Sequence, residues 1–169
     1  LPIITRISYF LSRKLSDLTY RSDGSVNRGV IRFLDKTVLC VPASSKPRRG
    51  VRTADVTVDA ERKLWIRLFV PTAADQERLP VVVFFHGGGF VYLSANFKYY
   101  DAVCRRFARK LSAVVVSVNY RLAPEHRYPA QFDDGFDVLR FLDESSNVLP
   151  ENADPSRCFL AGDSAGGNL

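Results

Sequence analysis

A serine flanked by glycines at fixed spacing is the first feature of this sequence that could do chemistry. Residues Gly162–Gly166 read Gly-Asp-Ser-Ala-Gly and directly follow the short apolar run Cys158–Ala161. This is the Gly-x-Ser-x-Gly spacing of a nucleophile elbow, in which a strand turns sharply into a helix and exposes the serine hydroxyl. Side chains two residues before and after such a serine would collide with neighbouring backbone, so both positions favour glycine. Ser164 is therefore the candidate nucleophile.

A second glycine-rich segment lies upstream and also follows a strand-like run. Residues 79–85 are almost entirely apolar, which is typical of a strand inside a parallel sheet, and His86-Gly-Gly-Gly89 comes next. Glycines after a strand leave backbone N–H groups uncovered, and such groups bind the oxyanion that forms when a serine attacks a carbonyl. The alternative interpretation is a flexible turn. The order of the two segments favours acyl-transfer chemistry.

The elements that would position these segments alternate between strand and helix patterns. Residues 64–70 and 55–59 predict an antiparallel hairpin at a sheet edge. Strand, helix and strand patterns at 81–85, 97–111 and 113–118 form a βαβ unit, which requires parallel pairing. A helix pattern at 132–142 and a strand pattern at 157–161 follow. The sequence therefore predicts an α/β fold with a mostly parallel sheet flanked by helices.

The N-terminal region has a different character from this core. Apolar residues recur at helical spacing from 4 to 18, with basic residues on the opposite side, which predicts an amphipathic helix. A short helix is predicted at 30–34, after a turn at 21–25. The sequence therefore predicts two parts, a helical segment at 1–50, which ends in the polar connector 46–50, and the core at 51–169. The helix could pack over the core or over a pocket, or it could lie on a membrane.

Composition excludes several classes of function. The 169 residues carry a net charge of +6, but the basic residues occur in small groups at 46–49 and 105–110 and do not form one long run with interleaved aromatics. We therefore interpret them as a solvated surface and expect no nucleic-acid partner. No apolar run reaches the ~18 residues that span a bilayer, so no stable membrane insertion is expected.

Three cysteines at irregular spacing favour reduced thiols. Cys40, Cys104 and Cys158 form no CxxC pair and no metal-ligand spacing. Cys104 and Cys158 fall in a helix and a strand pattern, so we expect both to be buried. This usage indicates an intracellular, reducing compartment, and we expect a cytoplasmic location or a combined cytoplasmic and nuclear one.

Four motifs in order give the sequence a family resemblance. They are the segments His86–Phe90, Asn119–Ala130, Asp133–Gly135 and Gly162–Asn168. Together they resemble the hormone-sensitive-lipase branch of the α/β-hydrolases. Two further segments, 23–28 and 100–106, are similar to those of the plant carboxylesterases, whose close relatives include the gibberellin receptors. The resemblance implies the α/β-hydrolase fold, with residues 1–50 as a lid.

The same resemblance implies roles for individual residues. Ser164 resembles the family nucleophile, and the amides of Gly87, Gly88 and Ala165 resemble its oxyanion hole. The family's acid and histidine follow the serine in the chain, so no counterpart is present. We expect these 169 residues, which begin without methionine, to be the N-terminal part of a longer protein, truncated after the elbow. Alone, the chain is expected to be inactive and poorly stable.

The two histidines in the chain lie upstream of the serine. For His86 and His126 we favour a structural role, with each ring hydrogen-bonded to backbone, over a general-base role. Asp163 and Tyr100 resemble pocket-lining residues of the hormone receptors, and the alternatives are a loop-stabilising acid and a core aromatic. Asp133 and Asp134 are interpreted as helix caps.

Two functions fit these features. The favoured one is a serine carboxylester hydrolase that acts on small esters and needs no cofactor or metal. The alternative is a non-catalytic gibberellin-type receptor, the only case in which a protein partner is expected. Gly89 stands where those receptors carry serine, and Ala165 also departs from their Asp-Ser-Ser elbow. The recognisable N-terminal helix favours the receptor instead.

Overall fold

The computed structural model describes residues 2–23, 25–34, 39–72, 78–145 and 147–169. The chain divides into two compact units, Leu1–Cys40 and Val41–Leu169. The first contains helix α1 (Ile3–Thr19) and helix α2 (Arg28–Leu34), close to the bounds predicted for both. A bridge between Tyr20 and Val26 closes the turn between them. Within the described ranges, no helix is long and apolar enough to cross a bilayer.

The second unit is built on a five-stranded sheet. Its strands are β1 (Val51–Asp59), β2 (Leu64–Pro71), β3 (Leu79–Phe85), β4 (Val114–Asn119) and β5 (Ala153–Gly162). They lie in the order β1-β2-β4-β3-β5. The hairpin β1–β2 is antiparallel at one edge, and β3 pairs in parallel with both β4 and β5. The predicted edge hairpin and βαβ unit are both confirmed.

Helices cover the two faces of this sheet because neighbouring strand residues point to opposite sides. Helix α3 (Lys98–Lys110) places Cys104 and Ala108 against one face, in a core that includes Val82 and Phe84. On the other face, helix α4 (Ala130–Glu144) packs Val138 into a core with Phe85. Strand β3, which lies between β4 and β5, is buried along its whole length, as its apolar sequence predicts.

Two expectations for this unit are wrong. Cys158 is exposed, because β5 is an edge strand. The acidic pair does not cap α4: the helix begins at Ala130, and no side chain caps it. Asp133 lies in its first turn, whereas Asp134 is fully buried and accepts a hydrogen bond from the backbone N–H of Arg121, 2.8 Å away, as well as from the Arg121 guanidinium.

Candidate active site

The turn after β5 holds Ser164 in a strained and accessible position. Its φ of 52° lies in the left-handed region, which non-glycine residues rarely adopt, and the residue is exposed. A β-carbon built on Gly162 would collide with the Gly166 carbonyl group, and one built on Gly166 would collide with the carbonyl oxygens of Phe85 and His86. The glycines at both positions therefore allow close backbone approach, as the spacing predicts.

Strand register brings the two glycine-rich turns together. Phe85, the last residue of β3, pairs with Gly162, the last residue of β5, and parallel strands end at the same edge of the sheet. The Asp163 N–H donates to the Phe85 carbonyl over 3.3 Å. A β-carbon built on Gly87 would lie 3.2 Å from Cβ of Ser164. The segment His86–Gly89 therefore borders the candidate nucleophile.

Tyr100 of helix α3 connects both turns through its hydroxyl group. The hydroxyl accepts a hydrogen bond from the Gly87 N–H and donates one to a carboxylate oxygen of Asp163, each over 2.9 Å. The ring is buried, and burial together with the Asp163 carboxylate raises the pKa of Tyr100 to about 12. The Gly87 amide, one of the three expected oxyanion donors, thus already has a partner in this structure.

The other expected donors are differently placed. Gly88 has a φ of 117° and Gly89 a φ of 61°, and a β-carbon on Gly88 would collide with the Tyr92 carbonyl oxygen. The Gly88 carbonyl accepts hydrogen bonds from Val91 and Tyr92 N–H groups, which fixes the turn. Among the residues described, no hydrogen bond engages the amides of Gly88, Gly89 or Ala165. Their N–H groups can therefore still donate hydrogen bonds.

His86 is buried beneath the turn, where it has a structural role. Its Nδ1 lies 2.7 Å from the Gly87 carbonyl oxygen, to which it donates. Burial lowers the pKa of His86 to about 4, so the ring is neutral at pH 7. In the part of the chain that the structure describes, its Nε2 has no hydrogen-bond partner. The predicted ring-to-backbone hydrogen bond is therefore present.

The second histidine also stands apart from the serine. His126 lies on an exposed loop, held through its backbone by Leu122 and by the Gln131 side chain. Over the described ranges, neither histidine is hydrogen-bonded to Ser164. The same residues include no group of three or more His, Cys, Asp or Glu placed to hold a metal ion.

Sequence reasoning missed Tyr120 as a residue that supports the site. Its ring stacks on His86 with centroids 4.3 Å apart and an interplanar angle of 11°, and its hydroxyl donates to the His86 carbonyl over 2.5 Å. Burial raises the pKa of this hydroxyl, which keeps it a donor. Its place directly after a buried strand, at the edge where β3 and β5 also end, was the available signal.

Known proteins share both the fold and the sequence pattern. Residues 82–169 match the model of the alpha/beta hydrolase fold family, and residues 36–124 match that of the carboxylesterase family. Over 166 residues the chain is 44% identical to the gibberellin receptor GID1C of Arabidopsis thaliana, covering 90% of this chain and 47% of the relative. It is 39% identical to carboxylesterase 20 of the same organism, covering 87% of this chain and 46% of the relative.

Solved structures lead to the same family. An ester hydrolase from the metagenome of Lake Arreo superimposes with a TM-score of 0.70 at 28% identity, covering 99% of this chain and 51% of the other. An esterase of Pyrobaculum calidifontis gives 0.61 at 44% identity, covering 69% and 36%. The chain spans about half the length of the curated relatives it matches. Its fold, its glycine-rich turns and these similarities establish that the chain belongs to the α/β-hydrolase fold family, in the branch of plant carboxylesterases and gibberellin receptors.

Proposed function

We propose that this chain carries the nucleophile and oxyanion hole of a serine carboxylester hydrolase that acts on small ester substrates. The observation that carries this proposal is the exposed Ser164, at a φ of 52°, beside the segment that contains Gly87. A strained, accessible serine that borders a second glycine-rich turn suits attack on a carbonyl. The free cysteines support a cytoplasmic location. Because the sequence resembles this family, we also propose that residues 1–50 form a lid segment.

The proposed reaction begins with transfer of the Ser164 proton to a histidine outside these 169 residues. The serine oxygen attacks the ester carbonyl, and the negative charge on the carbonyl oxygen is stabilised by the amides of Gly88 and Ala165. The Gly87 N–H donates to the Tyr100 hydroxyl, so it can stabilise this charge only after that hydrogen bond breaks. The histidine gives the proton to the departing alcohol, which leaves an acyl-enzyme, and water then hydrolyses this intermediate to the acid and free Ser164.

Replacement of the serine tests this assignment in the full-length protein. Ser164→Ala is expected to lower kcat for p-nitrophenyl acetate by roughly a thousandfold or more and to abolish labelling by a fluorophosphonate. The control is Ser45→Ala, at an exposed serine in the loop before β1. Undiminished hydrolysis or labelling of Ser164→Ala would overturn the proposal.

A second function has a specific observation in its favour. The 44% identity to the Arabidopsis gibberellin receptor GID1C supports a receptor that keeps the pocket and the serine without turnover. A receptor would bind gibberellin in equilibrium dialysis, and Ser164 would resist the fluorophosphonate because no base activates it. An esterase would be labelled and would show hydrolysis that depends on Ser164. The two readouts therefore separate the two functions.

A further inference from the structure

Two basic segments that lie far apart in the sequence meet in the structure. Arg48 and Arg49 precede β1, and Arg105, Arg106 and Arg109 belong to helix α3. All five line one solvent-open cavity of about 360 Å³. That volume is at the lower end of the range for ligand pockets, about 300–1,000 Å³. The cavity is a feature of the core unit and does not include Ser164 or its glycine-rich turns.

The turn that carries two of these arginines is held in a fixed shape. Arg48 and Val51 exchange backbone hydrogen bonds of 3.0 and 3.2 Å, and between them Arg49 and Gly50 have φ values of 52° and 74°. An arginine at positive φ is uncommon and carries some strain. Arg105 fastens this turn to α3, because its Nη1 donates to the Val51 carbonyl over 2.8 Å. The backbone that carries Arg48 and Arg49 is therefore fixed beside α3 without a bound ligand.

Positive charge in this cavity is left uncompensated. Among the described residues that line it, Asp101 is the only acid. Its carboxylate accepts from Arg105 Nε over 2.7 Å and lies 3.6 Å from Nη1 of the buried Arg67. The guanidinium groups of Arg48, Arg49, Arg106 and Arg109 form no ion pair with any residue in the described ranges. Five guanidinium cations against one carboxylate leave four net positive charges, out of +6 for the whole chain.

We propose that this cavity binds a small polyanion that carries two or more phosphate groups. Several guanidinium groups without an ion-pair partner lie on a fixed turn and on a helix. A guanidinium group can bind a phosphate through two parallel hydrogen bonds, so this arrangement favours phosphate groups as ligands. A bound polyanion would also relieve the mutual repulsion of the four arginines. The lining residues that the structure describes include no aromatic side chain on which a nucleobase could stack, which favours a sugar or inorganic polyphosphate over a nucleotide.

Calorimetric titration of the intact protein with inorganic tripolyphosphate, at roughly 0.15 M ionic strength, tests the site. We expect saturable binding of one tripolyphosphate per chain. Arg106→Glu combined with Arg109→Glu is expected to weaken it by roughly tenfold or more, because hydrogen bonds to charged groups are lost. The control with the same charge change is Arg127→Glu combined with Arg157→Glu, at two exposed arginines outside the cavity. It is expected to change the affinity less than roughly threefold.

A second measurement needs no variant and so does not depend on how the variants fold. Tripolyphosphate is expected to protect Arg106 and Arg109 of the wild-type protein from modification by phenylglyoxal, as read by peptide mass spectrometry, and to leave Arg127 unprotected. Equal weakening by the two double variants, or protection without preference among these arginines, would show only diffuse charge attraction and overturn the site.

An experiment with lipid vesicles distinguishes a lipid headgroup from a free polyphosphate as the ligand of this cavity. Vesicles that contain phosphatidylinositol bisphosphate are added with and without tripolyphosphate. Binding that tripolyphosphate displaces supports the same cavity with a lipid headgroup as ligand. Vesicle binding that tripolyphosphate does not displace, or tighter binding of nucleic acid than of tripolyphosphate, contradicts the proposal.

Discussion

The hydroxyl group of Tyr100 forms two hydrogen bonds at the candidate site. The hydroxyl accepts from a backbone N–H of one glycine-rich turn and donates to the carboxylate beside the nucleophile in the other. The spacing of Tyr100 in the sequence predicts a buried helical residue, and the family resemblance implies a pocket residue. Neither predicts its bond to Gly87, because that bond depends on how close α3 lies to the end of β3.

Tyr100→Phe removes this hydroxyl and keeps the ring. The Gly87 N–H then loses its partner in a buried setting, so we expect the free energy of unfolding to fall by about 1–3 kcal/mol. Urea unfolding would measure it. Tyr99→Phe is the matched control, since the neighbouring ring is 57% exposed. Equal stability of the two variants would show that the Gly87 amide finds another partner at no cost.

His86 is expected to make stability depend on pH. Its pKa is about 4 in the folded protein and 6.5 ordinarily, because burial disfavours the charged ring. The unfolded chain therefore binds the proton more readily, so the stability contributed by the neutral ring is complete above pH 6.5 and is lost as the pH falls toward 4. NMR titration of the imidazole signals would check the pKa, with His126→Gln to assign the two rings. A His86 midpoint near 6.5 would contradict the buried, neutral ring.

At the scale of elements, the elbow depends on how closely three backbone segments approach. Gly162 and Gly166 lie against each other, and Gly166 also lies against the end of β3. The Gly-x-Ser-x-Gly pattern is sufficient to predict this approach, since steric exclusion is local and depends on residue type. The role of Asp134 could not be predicted in the same way: an aspartate near a helix start resembles a cap, and only the fold places Arg121 beside it.

Gly166→Ala tests the close approach. Its β-carbon would collide with backbone oxygens at the end of β3, which cannot move aside as a flexible side chain can. We expect a loss of about 1–3 kcal/mol in the free energy of unfolding, the usual cost of overpacking. Gly167→Ala is the matched control, because a β-carbon there would be 3.4 Å from its nearest neighbour, the Gly162 carbonyl oxygen. A Gly166→Ala variant as stable as this control would contradict the close contact.

At the largest scale, β5 forms one edge of the sheet that the described residues of 41–169 build. Phe159 and Leu160 are 58% and 60% exposed, as expected for a strand with a neighbour on one side only. An edge that combines unpaired backbone groups with apolar side chains is a template for association.

We expect these 169 residues, prepared alone, to self-associate at micromolar concentrations through this edge. Phe159→Lys is expected to shift the population toward monomer, because a charge on an edge strand opposes pairing. Ala60→Lys, in the exposed turn between β1 and β2, adds the same charge elsewhere as a control. Sedimentation velocity would measure both. A monomeric wild-type chain, or an equal effect of the two substitutions, would contradict this expectation.

The sequence predicts more of the scaffold than of its surface. Hydrophobic periodicity identifies the strands and helices, and the two glycine motifs locate the turns that meet beside Ser164. The sequence does not predict that Arg48 and Arg49 lie beside helix α3. Their position depends on the tertiary packing of the turn before β1, which Arg105 holds through the Val51 carbonyl.

The pairing of Phe85 with Gly162 has a consequence for how this protein can change over evolution. Insertions in the turn between β1 and β2, or in the loop between α4 and β5, leave the pairing of Phe85 with Gly162 intact and should be tolerated. A single residue inserted within β3 would slide His86–Gly89 past Ser164 by one strand position, about 3.3 Å, and would reverse which face each later side chain occupies. Lineages of this chain should therefore vary freely in loop length while holding the length of β3 constant.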